Sequence, residues 1–118
     1  MKTSELKGAA LDWAVAKCEG KSCLRAIQES GGDWFKSYDY NFYFAYSINW
    51  ALGGPIIERE RMNVLYWTGL KKWAAKPDKE KEAKNVPNYF GDTLLEAAMR
   101  CYVASKLGAE IEVPEELL

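Results

Sequence analysis

Met62-Asn63-Val64-Leu65-Tyr66-Trp67-Thr68-Gly69-Leu70-Lys71-Lys72-Trp73-Ala74-Ala75 is the stretch whose reading decides the fold. Met62–Trp67 reads as a strand, because β-branched and aromatic residues fit a pleated, half-buried surface. Thr68-Gly69-Leu70 turns the chain, and Lys71–Ala75 returns as the partner strand, a hairpin with Gly in its loop. Lys71 and Lys72 then serve to keep an edge strand from pairing with other chains.

Working outward, residues 34–46 show strand alternation. Tyr38, Tyr40, Phe42, Phe44 and Tyr46 alternate with Asp39, Asn41, Tyr43 and Ala45. This aromatic ladder is expected to face the core, with an exposed base-stacking platform as the alternative. Residues 93–107 read as a helix. Thr93 and Glu96 match a capping box, and Glu96 and Arg100 form an i, i+4 pair on the outer side. The inner face is rich in small residues, Ala97, Ala98, Cys101, Ala104 and Ser105, which permit close approach. Residues 5–18 read as a second helix, apolar around its circumference and so expected to be deeply covered. Gly20 and Gly108 end the two helices. Residues 21–31 are ambiguous between strand and helix. Residues 76–91 read as a solvated, charged loop, and Pro114 opens one further turn.

Between the strands lies Asn49-Trp50-Ala51-Leu52-Gly53-Gly54-Pro55-Ile56-Ile57-Glu58-Arg59-Glu60-Arg61. Gly53 and Gly54 permit positive φ, and Pro55 suits the first position of a helix. The stretch is therefore read as a sharp turn followed by a short helix from Pro55 to about Arg61. On that reading Gly54→Val harms the fold, whereas Glu58→Ala and Arg59→Ala leave it intact. The expected architecture is α+β: an antiparallel sheet of three to four strands, an N-terminal and a C-terminal helix packed on it, and the short helix after the Gly-Gly-Pro turn.

The chain has 118 residues, suited to one domain, 1–118. Its formal net charge of −1 lacks the cationic excess of a nucleic-acid binder. No apolar run is long enough to span a membrane. The first residues lead into a helical pattern without an apolar signal region, so a cytoplasmic location is expected. There are three Cys and no His. The odd count suits reduced thiols, and the set is too small for the usual zinc site. No metal, no cofactor and no essential disulfide are expected, and stability should be indifferent to chelator and reductant. The absence of His also removes the commonest general base and the Ser-His-Asp and Cys-His arrangements.

Met1–Leu6 and Gly8–Lys17, Trp50–Glu60, and Ala98–Gly108 resemble the NinX-like family of phage and prophage proteins. The family usually carries a Ser-Pro-Ser-Thr-Asp-Trp type run before the glycines, where this chain reads Ser47-Ile48-Asn49-Trp50. The resemblance implies a phage or prophage origin, hence the cytoplasm of an infected or lysogenic bacterium, and supplies no mechanism. The order of elements also looks like small phage domains built as an α/β/α sandwich.

Three functions stay open. The first is an accessory protein that binds a host or phage protein without catalysis, through Trp50, Gly53, Gly54, Pro55, Glu58, Arg59 and Glu60. The second is a small enzyme or ligand-binding domain using Glu58, Arg59, Glu60 and Asp12. The third is single-stranded nucleic-acid binding through the aromatic ladder, disfavoured by charge. The missing catalytic constellation leans against an enzyme. A polar pocket beside Glu58 would favour the second reading over the first.

Overall fold

The computed structural model describes residues 1–21, 44–78 and 88–117. Among these the chain forms α1 (Gly8–Cys18), α2 (Trp50–Glu60), β1 (Asn63–Trp67), β2 (Lys72–Lys76), β3 (Tyr89–Gly91) and α3 (Leu94–Leu107). Short 3-10 turns span Thr3–Glu5 and Glu115–Leu117. The fold is α+β with a three-stranded antiparallel sheet in the order β1-β2-β3.

The hairpin forms where the sequence places it, with Leu65 opposite Ala74 and Tyr66 opposite Trp73. Its turn differs in detail. Lys71, not Gly69, takes the left-handed conformation, at φ 54°. β2 lies in the middle of the sheet, so Lys72 is on the central strand and does not protect an edge. The middle place is set by β3, which pairs Ala74 with Phe90 inside the segment read as a solvated loop.

α3 begins with the expected Thr93 cap, while the return bond from Glu96 reaches one residue further back than a capping box requires. The Thr93 hydroxyl oxygen accepts from the Glu96 amide at 3.1 Å, and a Glu96 carboxylate oxygen accepts from the Asp92 amide. The small inner face holds in part: Ala97, Ala98 and Cys101 are buried, but Ala104 is half-buried and Ser105 exposed, and Met99 and Val103 join the core beside them. α3 packs on β2 and β3, and α1 packs on α3, so α3 is the middle layer of the described elements. A Cβ on Gly91 would lie 2.6 Å from the Ala97 amide nitrogen, so a glycine lets β3 run hard against α3. Arg100 is not on the outer side. It pairs with Glu96 and also donates to the carbonyls of Leu6 (2.6 Å) and Phe90 (2.7 Å), joining the N-terminal segment to β3.

α1 starts at Gly8, after the 3-10 turn, and its residues Ala10 to Ala16 are buried without interruption, as its all-round apolar surface demands. The segments at either end of the described chain pair with each other: the Thr3 amide donates to the Ala109 carbonyl and the Thr3 hydroxyl to Gly108.

Two expectations meet the structure only in part. Of the ladder in 34–46, Tyr38, Tyr40 and Phe42 lie outside the described residues, as do residues 22–31. Phe44 and Tyr46 sit in turns, with Tyr46 buried against the core.

Candidate functional site

The Gly-Gly-Pro stretch is not a turn before a helix. It lies inside α2, which starts at Trp50. Asn49 caps it, its side-chain oxygen accepting from the Ala51 amide at 2.9 Å. Neither Gly53 nor Gly54 has positive φ. The two glycines differ in what the packing asks of them. A Cβ on Gly53 would lie 2.5 Å from the Tyr46 carbonyl oxygen and 2.7 Å from Leu95, so close approach excludes any side chain there. Gly54 precedes Pro55, whose ring would clash with a Cβ on a helical neighbour. At Gly54 itself a Cβ would meet only Trp50, at an ordinary 3.5 Å.

α2 turns Gly53 and Ile56 into the core, with Leu52 and Ile57 half-buried beside them. Glu58 is exposed, as expected. Arg59 does not stand free in solvent. Its guanidinium donates to both Glu19 oxygens at 3.0 and 2.8 Å, to the Tyr102 hydroxyl at 3.0 Å and to Glu60 at 3.0 Å. The Tyr102 hydroxyl donates to Glu19 at 2.6 Å, and Lys106 pairs with Glu60 at 3.4 Å. One guanidinium thus ties the end of α1, the end of α2 and the last turns of α3 together. Glu19, Tyr102 and Lys106 carry this network and were not found in the sequence. Their only signal was the helical spacing of Tyr102 and Lys106.

Electrostatics follow the geometry. The hydrogen bond from Arg59 holds the Glu19 carboxyl below the usual range, against partial burial. At Glu60 burial pushes upward but is outweighed by Arg59 and Lys106, leaving that carboxyl low as well. Burial, then the bond to Glu19, raises the Tyr102 phenol. The same bond to Glu19, with Glu60 second, holds Arg59 in its charged form. Burial pushes the neighbouring Cys18 thiol up to about 11, so it is a poor nucleophile at neutral pH. Cys18 is half-buried and Cys101 buried in the core. The shifts in this network keep Glu19 and Glu60 ionised and Tyr102 protonated at neutral pH.

Asp12, the other carboxylate of the enzyme reading, is buried and distant in role. Its Oδ1 accepts from the Ser47 amide at 2.8 Å, fixing the chain just before α2. A cavity of about 130 Å³ lies elsewhere, between Ser4, Lys72, Tyr89 and Arg100, not beside Glu58. The outward side of the stretch is apolar at its start. Ile48 is 72% exposed and Trp50 56% exposed.

The described elements thus form an α+β fold whose charged stretch is joined to its own helices. A family model described as "Bacteriophage P22, NinX" matches residues 2–106, and the chain belongs to that family. The match covers α1, α2, the sheet and all but the last residue of α3. A comparison with curated proteins returned no match. Among the described residues no helix is long and apolar enough to cross a membrane.

Proposed function

We propose that this phage protein is an accessory interaction module without catalysis, presenting the surface around Ile48 and Trp50 to a host or phage protein in the cytoplasm. One observation carries the reading. Along Ile48–Arg61 the chargeable groups Arg59 and Glu60 are engaged by the protein itself, while Ile48 and Trp50 are left open to solvent. Trp is enriched at the centres of binding surfaces because it offers a large, rigid apolar area. The Asn49 cap holds the backbone under Trp50 in place, so little order has to be gained on binding. Gly53, Gly54 and Pro55 then shape the helix, and Glu58 lies on its outer side within reach of a partner.

The test is affinity capture from phage-infected cells with the wild-type chain and with Trp50→Ala and Ile48→Ser. A protein retained by the wild type and lost by both variants, with unchanged melting temperature, supports the reading. Equal retention by all three chains would place binding on another face.

A further inference from the structure

The geometry points to a second copy of this chain as the occupant of the β1 edge: the domain self-associates by antiparallel β1–β1 pairing about a two-fold axis at Leu65.

β1 hydrogen-bonds to β2 on one side, and among the described residues no strand lies on its other side. Exposed strand edges usually carry charge, proline or a bulge, which stop them from templating further strands. This one carries none. From Met62 to Leu70 nine consecutive residues are uncharged and none is proline. The charges that could protect it fall elsewhere, with Lys72 and Lys76 on the central strand.

The side chains are placed for it too. Register puts Leu65 and Trp67 on the face with Ala74 and Phe90, opposite the face that packs on α3. Leu65 is 55% exposed and Trp67 43% exposed. The Trp67 ring stacks on Phe90 at 5.2 Å, so it is already ordered in the single chain. Side chains opposite each other must share a face. That parity rule allows an axis on a residue and forbids one between residues. An axis on Leu65 pairs all five strand residues: Leu65 with its copy, Val64 with Tyr66, Asn63 with Trp67. Just outside, Arg61 would lie opposite Gly69, so no like charges meet. A nucleic acid fits this face less well, because Asp92 neutralises Lys72 beside it. Half-exposed aromatic and leucine side chains give an area below that of a standard stable interface, about 800 Å² per partner. A weak dimer is therefore expected, with a dissociation constant on the order of 10–100 µM.

Sedimentation of the purified chain between about 1 and 500 µM reads this directly. The expected result is a weight-average mass that climbs from one chain toward two, and a Leu65→Lys variant that stays monomeric with an unchanged melting temperature. Register is read by cross-linking in a Cys18→Ser, Cys23→Ser background. Directly opposed Cα atoms lie about 4.5–5.5 Å apart, within disulfide reach. Leu65→Cys should therefore cross-link to its copy on oxidation. Trp67→Cys should not, since its copy would be about 13 Å away along the strands. A chain monomeric at every concentration overturns the inference. So does a dimer that Leu65→Lys leaves undiminished, or one in which Trp67→Cys cross-links as readily as Leu65→Cys.

Discussion

Gly53 and Gly54 are neighbours in sequence, yet the structure asks different things of them. Any side chain on Gly53 would overlap the Tyr46 carbonyl, and backbone cannot step aside as a flexible side chain can. Gly53→Ala is expected to cost about 1–3 kcal/mol or more. At Gly54 helix propensity favours Ala by about 1 kcal/mol, while the following proline disfavours it. Gly54→Ala should stay within about 1 kcal/mol of wild type, and Gly54→Val meets no positive-φ penalty. Urea unfolding of both alanine variants separates the positions. Asp12 belongs at the same scale. Removing its carboxylate leaves the buried Ser47 amide without that acceptor, so Asp12→Ala should lose about 1–3 kcal/mol. An Asp12→Ala protein as stable as wild type would mean that water or another group replaces the bond.

At the scale of elements, periodic signals were legible in the sequence and long-range ones were not. α1, α3 and the hairpin carry their own pattern: an all-round apolar helix, a capped helix with small residues inward, two strands with a turn between. The start of α2 was misread because Gly-Gly-Pro is locally a turn signal. The packing against Tyr46 that keeps those residues helical is a tertiary fact. β3 was missed because three residues, Tyr89–Gly91, have no period to read, and their strand state depends on pairing with β2. The hairpin turn leads to a prediction of its own. Lys71 sits at φ 54°, where a side chain costs about 1 kcal/mol that glycine avoids. Lys71→Gly should therefore raise the unfolding midpoint slightly, by about 0.5–1 kcal/mol in stability. The helix-tying network leads to another, in pH. The folded Glu19 carboxyl titrates below its ordinary value of 4.5. Its contribution is thus fully present above pH 4.5 and is lost as pH falls through the lower folded value. The stability gap between wild type and Glu19→Gln should be widest near neutrality and close in acid. A gap that stays constant down to pH 2 would show that the charge of Glu19 is not what matters.

For the whole molecule, the layered order α1, α3, sheet places the Arg59 network where three helices end. This could not be read from sequence, because Arg59 reaches Glu19 and Tyr102 across separations of 40 and 43 residues. Arg59 and Glu58 look alike in the chain, two exposed charges side by side. In the fold one is a tie between helices and the other is surface. The claim that the charged stretch is scaffold, leaving Ile48 and Trp50 as the binding surface, therefore rests on Arg59. Thermal unfolding of Arg59→Ala beside Glu58→Ala tests it most directly. Arg59 is half exposed, so the loss is discounted for solvent to about 1–2 kcal/mol. At this chain length that lowers the melting temperature by about 3–8 °C. Glu58→Ala should melt with the wild type. An Arg59→Ala protein that melts like wild type, or a Glu58→Ala protein that falls as far, would contradict the account.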